Sequence, residues 1–464
     1  MIYSKVTIGI LIVTLIIQWK RYKWKFLLHP SFYFLITWII SVISFELFQF
    51  AGFKGLIINK EILNELFLFV SFTALCFIFF GWNDTKKIRQ QPIKMNLFIP
   101  YTFFKYFSII FFVSAFINLF FISGFNVALT RAESTRALMD FARSGGHYGI
   151  IDLIIRVINM LSLPFTIYSG WIVGNNFFSG NKKTNWIYFL PLFATIFNAI
   201  AGGGRSGILY ATSYFVLGLL FALFSLNNDY WPKLKRTLKY VLILFLLFSI
   251  YSTYVSVSRY KSEKVTNLYY KSLDLNYPYL KPFFGVLEYA VFHYQGYQWR
   301  RKDMVTSELE LGQKTFNFIT AFNIPVISQL FRKNVSLENI FHLKHEDNVT
   351  RTMESKELGL PGFSITATVY LILFDDFGFY GVFIITFLFV GFTQKLYRDL
   401  FLKNHNDFWS IILFIAVYKL WMATFFNHHL TGAWFNTYLY PILIIETVNF
   451  LYKYKHRNLK YNEL

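Results

Sequence analysis

One cysteine, Cys76, among 464 residues excludes an intrachain disulfide and any cysteine-based metal cluster. Charge is scarce too. Only 15% of positions are Asp, Glu, Lys or Arg, where soluble domains run near about 25%. No Pro/Ser/Gly linker, low-complexity tract or internal repeat divides the chain, which excludes a tethered multi-domain or solenoid arrangement. HExxH, P-loop, GxSxG and Cys/His zinc spacings are also missing, so the sequence calls for no metal and no cofactor.

What is present is apolar surface. Hydrophobic residues make up 55% of the chain and aromatic residues 22%, with 58 Phe and 31 Tyr. That composition excludes disorder and a soluble globular domain, and implies a polytopic membrane protein. The formal charge is +20, from 45 Lys+Arg against 25 Asp+Glu. In a soluble protein it would suggest nucleic acid. In a membrane protein it reports topology, and no nucleic-acid partner is expected.

Apolar runs near the 17–25 residues needed to cross a bilayer give eleven spans. They are Val6–Trp19 (short), Phe26–Phe45, Leu66–Trp82, Thr102–Gly124, Ile150–Val173, Trp186–Gly202, Ser206–Phe224, Tyr240–Ser256, Phe377–Thr393, Phe408–Phe426 and Asn436–Tyr452. No small-residue cleavage site follows the first, and the basic flank Lys20, Arg21, Lys23 and Lys25 belongs in the cytoplasm. The N-terminus is therefore expected outside. Segments 20–25, 83–101, 174–185, 225–239, 394–407 and 453–464 then fall in the cytoplasm, with 21 Lys+Arg against 5 acids, which is +16 of the +20.

Residues 257–376, carrying 14 basic and 13 acidic groups, form one long outer loop within a single membrane domain spanning 1–464. Phe283–Tyr297 and Phe316–Phe331 hold too many large apolar groups to stay solvated, so short helices on or in the outer leaflet are expected there. Phe363–Phe374 is apolar but too short to span. It is expected to be an interfacial or re-entrant helix, with Asp375-Asp376 marking the start of the ninth span.

Gly202-Gly203-Gly204-Arg205 joins the sixth and seventh spans at the outer face. Glycines permit a tight turn, and a helix opening at Arg205 offers free N–H groups and a guanidinium to an oxyanion. An arginine snorkelling from a helical hairpin is the equally simple reading. Arg131, Arg136, Arg143, Arg259, Arg300, Arg301 and Arg351 fall on the same side. Asp152 with Arg156, and Lys419 with Glu446, read as structural pairs inside the bilayer.

The Arg205 turn, the long outer loop, and Asp376-Phe377-Gly378 followed by Tyr380-Gly381 at a span entry resemble the O-antigen polymerase family, the Wzy-type polymerases of oligosaccharide repeat units. His29-Pro30 opening the second span also resembles it. Arg301 with Gly312, and Arg351 with Gly362, keep the family's eleven-position arginine–glycine spacing, although both lie in one loop.

The resemblance implies an all-α bundle of about eleven spans of the GT-C type, in a bacterial inner membrane, with the C-terminus cytoplasmic. Its implied substrates are undecaprenyl-pyrophosphate-linked oligosaccharides. Membrane lipids and a chain-length regulator protein are its other implied partners. One chain would be transferred to the outer sugar hydroxyl of a lipid-linked repeat for O-antigen or capsule, without metal. Arg205 and Arg259 would clamp the leaving pyrophosphate, aided by Arg131, Arg136, Arg143, Arg300, Arg301 and Arg351. The acceptor proton would pass to His293, Asp303 or Glu308. An O-antigen ligase and a lipid-linked oligosaccharide flippase remain the alternatives.

Overall fold

The first helix, α1 (Ile2–Tyr22), is longer than its apolar run because its polar residues share one face. Ser4, Thr7, Leu11, Thr14, Gln18 and Arg21 are buried, and their alternate three- and four-residue spacing is the seam of two closely packed helices. That seam meets α3 (Lys60–Phe80). Thr7 Oγ1 lies 3.0 Å from Ser71 Oγ, Gln18 Nε2 donates to the Phe77 carbonyl at 2.7 Å, and Arg21 Nη1 donates to the Ile78 carbonyl at 2.7 Å. Within lipid such bonds join helices where hydrophobicity cannot.

In this computed structural model the residues described are 2–50, 59–82, 101–122, 162–179, 185–201, 205–225 and 368–402. Single positions at 158, 235–251, 291–301, 421 and 447–451 are described as well. Among them all regular structure is helical. Five helical stretches are long and apolar enough to cross a membrane: Ile2–Leu28, Pro30–Phe50, Lys60–Phe80, Tyr101–Phe120 and Val369–Leu400. Most of the eighth, tenth and eleventh expected spans, and both expected intramembrane ion pairs, lie outside the described residues.

The chain forms two compact units, each drawn from segments distant in sequence. In the first, α1 leads through a 3-10 turn (Lys23–Leu28) into α2 (Pro30–Phe50), with Pro30 at the first helical position where its missing N–H costs nothing. The second helix thus begins at Pro30 and not at Phe26. His29 is buried at this junction. Its Nδ1 lies 2.6 Å from Ser31 Oγ and its Nε2 2.8 Å from Gln394 Oε1, while Gln394 Nε2 donates to the Tyr22 hydroxyl at 2.7 Å. The network ties α1 and α2 to α8 (Val369–Leu402).

Helix α8 has two arms joined at Gly378, whose φ of 68° and ψ of −176° suit only glycine. Tyr370 bonds Thr73 at 2.7 Å, whereas Phe374 faces Arg301, which is held by Glu65 two turns earlier in α3. Beyond Gly378, Phe379 packs on Phe69, Phe383 on Phe72 and Phe387 on Phe80. The two arms meet at a kink at Gly378, and the long arm runs alongside α3 in the same direction. Asp375 and Asp376 are buried inside the short arm. They do not open the span as the sequence suggests, because helix already precedes them from Val369.

The second unit holds α4 (Tyr101–Ile117), which ends in a π-turn over Asn118–Ile122, with α5 (Ser162–Phe178), α6 (Leu190–Ala201) and α7 (Arg205–Ser225). Helices α5 and α7 touch through glycine. A Cβ on Gly218 would stand 3.0 Å from the Gly170 Cα and 2.8 Å from the Trp171 nitrogen. One on Gly174 would stand 2.6 Å from the Ala222 Cβ. Gly170 and Gly174 face Gly218 and Ala222 with the small-xxx-small spacing that lets membrane helices approach backbone to backbone. Val173, Leu192, Ala211 and Phe215 fill the core beside this crossing.

Candidate functional site

Two places in the fold carry the charged groups singled out above, one in each unit. In the second unit α7 begins at Arg205 itself, directly after Gly202–Gly204. The first turn of a helix has unsatisfied N–H groups and the positive end of the dipole, so the backbone at Arg205 favours an anion. Gly207 lets the start of α7 pack closely on α6, since a Cβ there would lie 2.7 Å from the Ala199 Cβ. The Arg205 side chain lies outside the described residues, as do Arg131, Arg136, Arg143 and Arg259.

In the first unit, residues of the long loop enter the bundle. Val291, His293, Tyr294, Tyr297 and Gln298 are helical and buried, and Arg301 follows on the same face. This segment docks on the N-terminal end of α3. Asn59 caps that helix, its Oδ1 accepting from the nitrogens of Glu61 and Ile62, while its own N–H donates to Gln298 Oε1 at 2.6 Å. Tyr297 donates to Glu65 Oε1 at 2.7 Å. Arg301 grips the same carboxylate through Nε to Oε1 at 2.8 Å and Nη2 to Oε2 at 3.0 Å. Its guanidinium also lies 3.8 Å from the Phe374 ring centroid. Burial, with the Glu65 carboxylate next, raises the Tyr297 phenol well above its ordinary value, which keeps it a donor to Glu65.

Arg301 is thus committed. As a pyrophosphate ligand it would have to leave a bidentate carboxylate and an aromatic face, and its described role is to fasten the loop to α3 and to the short arm of α8. His293 is only 1% exposed, with its ring edge-on to Trp38 and its Nε2 3.2 Å from Ser41 Oγ. Tyr294 closes its other side, with ring centroids 4.1 Å apart. A base so enclosed has no approach for a sugar hydroxyl. Asp303, Glu308, Arg300 and Arg351 lie outside the described residues.

Sequence reasoning passed over Glu65, Tyr297 and Gln298. A signal was available: two separated acids near the start of α3 and an aromatic loop segment with polar residues three and four apart. What joins them is a pairing across 236 positions. Among the described residues, one surface groove of about 510 Å³ is lined by Phe79, Phe80, Trp82 and Arg398. Another, of about 490 Å³, is lined by Phe112, Trp186, Phe189, Leu190 and Phe193. Their aromatic linings suit acyl chains better than a pyrophosphate.

Compared with models of protein families, with curated proteins and with solved structures, the chain matches none. A functional reading therefore rests on the chain's own residues.

Proposed function

We propose that this protein polymerises lipid-linked oligosaccharides. In this reading it is an integral protein of a bacterial inner membrane, a GT-C-like bundle of about eleven spans with its N-terminus outside and its C-terminus cytoplasmic. The observation that supports it most is the order of sequence and structure, three glycines followed directly by the helix Arg205–Ser225, since a helix N-terminus carrying an arginine suits a lipid pyrophosphate. Arg131, Arg136, Arg143 and Arg259 belong to the same compact unit as Arg205, and are the further cations proposed for the clamp.

The chemistry is a glycosyl transfer. The bond from the anomeric carbon to the pyrophosphate oxygen breaks, and a new bond forms to the acceptor sugar hydroxyl, whose proton passes to a base. Lipid pyrophosphate leaves with its charge neutralised by the arginines. Arg205→Ala tests the clamp: the glycan ladder of cells carrying it should collapse to single repeats while the protein stays folded in the membrane. A ligase shares the clamp, and its acceptor would be a lipid A core in place of a repeat.

A further inference from the structure

We infer that the C-terminal end of α3 holds an anionic phospholipid, its phosphate at Arg398 and Arg21 and an acyl chain along Phe79 and Phe80. The inference does not depend on the polymerase reading.

A helix C-terminus ordinarily disfavours an anion, because its last carbonyls lack partners and carry the negative end of the dipole. Here the last four all have donors. The Gly81 N–H and Gln18 donate to the Phe77 carbonyl, Arg21 to that of Ile78 at 2.7 Å, the Trp82 N–H to that of Phe79 at 3.2 Å, and Arg398 Nη2 to that of Phe80 at 2.7 Å. Two of these donors are guanidinium groups, so positive charge covers the negative end of the helix.

Glycines make room for the arrangement. A Cβ on Gly81 would stand 3.0 Å from Arg21 Nη1, where the guanidinium reaches α3. One on Gly391 of α8 would stand 2.9 Å from the Phe80 ring, which instead lies against the long arm with its centroid 4.6 Å from that of Phe387. Phe80, with Phe79, Trp82 and Arg398, lines the groove of about 510 Å³.

That lining combines two chemistries. Phe79 and Phe80 are the last residues of an apolar span and suit an acyl chain. Trp82 is exposed just beyond the span, the position of tryptophans at the level of lipid headgroups, and its ring lies 5.2 Å from the Arg21 guanidinium. Arginine offers a phosphate several N–H groups in a fork. Lys20, Lys23 and Lys395 are exposed near the same helix ends, and Asp399 is the one acid among the described residues there. The balance of charge therefore selects an anionic headgroup over a zwitterionic one.

The test is native mass spectrometry of the full-length protein in detergent, titrated with dioleoyl phosphatidylglycerol or dioleoyl phosphatidylcholine. The wild type should retain phosphatidylglycerol in preference by roughly fivefold or more, the scale of one basic side chain facing an anionic headgroup. Arg398→Gln keeps a donor for the Phe80 carbonyl without the charge, and should lose most of that preference. Phe79→Ser, at a position 65% exposed where the side chain packs little, should weaken the binding of both lipids alike. Lys5→Gln removes an exposed cation from the opposite end of α1 and should keep the preference. Equal retention of the two lipids by the wild type overturns the inference, as does a wild-type preference in Arg398→Gln or undiminished binding of either lipid in Phe79→Ser. Loss of the preference in Lys5→Gln overturns it too, by showing general attraction to charge. Displacement of phosphatidylglycerol by equimolar glycerol 3-phosphate does the same, by showing a site for a soluble phosphate.

Discussion

Glu65 and Arg301 form a two-pronged ion pair that pins the long loop to the third helix, with N–O distances of 2.8 and 3.0 Å. Both side chains are mostly buried, at 15% and 17% exposure, so removing one leaves the other charge poorly solvated. Glu65→Ala and Arg301→Ala should each lower stability by about 1–3 kcal/mol, the scale of charged hydrogen bonds. The double variant should cost little more than either single. Thermal unfolding in detergent measures all three.

The kink at Gly378 depends on two glycines. Its φ of 68° excludes other residues, and a Cβ on Gly381 would fall inside the Phe377 side chain. Gly378→Ala and Gly381→Ala should each destabilise by roughly 1–3 kcal/mol, from backbone strain in the first and overpacking in the second. A thermal midpoint unchanged in Gly378→Ala would contradict the two-armed geometry.

Gly170 and Gly218 predict a steric limit in the second unit. Gly218→Ala puts a methyl against the Gly170 backbone, and Gly170→Ala puts one into the Phe215 carbonyl. Each should cost about 1–3 kcal/mol or prevent recovery of a monodisperse protein. Gly9, with nothing within 4 Å of an added Cβ, should accept alanine without loss and is the control, read by size-exclusion profile and thermal midpoint.

Gln394 joins the buried His29 and Tyr22. Gln394→Leu removes its hydrogen bonds to both groups and should cost about 1–3 kcal/mol, the scale of a buried hydrogen-bonding group lost. In a Tyr22→Phe background the same change should cost less, since one of the two bonds is already gone. Equal costs in the two backgrounds would remove the coupling.

How far these features could be read from sequence depends on what hydropathy registers. Windows found the apolar runs of α2, α3, α4 and α7. They shortened α1 because Ser4 and Arg21 look unfavourable in lipid, although Ser4 bonds Glu46 of α2 and Arg21 bonds the Ile78 carbonyl of α3. The aromatic loop segment was legible as ordered, since Tyr294 and Tyr297 could not stay in water. Its depth was not, because burial comes from Ser41, Phe45 and Phe67 on other helices. Span nine showed its glycines but not their dihedral angles. At the candidate site, a helix following the glycines could be expected from sequence, and helix is described from Arg205 onward. The commitment of Arg301 to Glu65 is a long-range pairing that neither local propensity nor charge counts can reveal.

The most direct measurement gives purified protein in detergent, with no bilayer, an undecaprenyl-pyrophosphate-linked repeat unit and follows product length. The polymerase reading predicts products of two or more repeats with release of undecaprenyl pyrophosphate, and neither from Arg205→Ala. A folded wild-type protein that binds the repeat unit without lengthening it would contradict the reading and favour transport across the membrane.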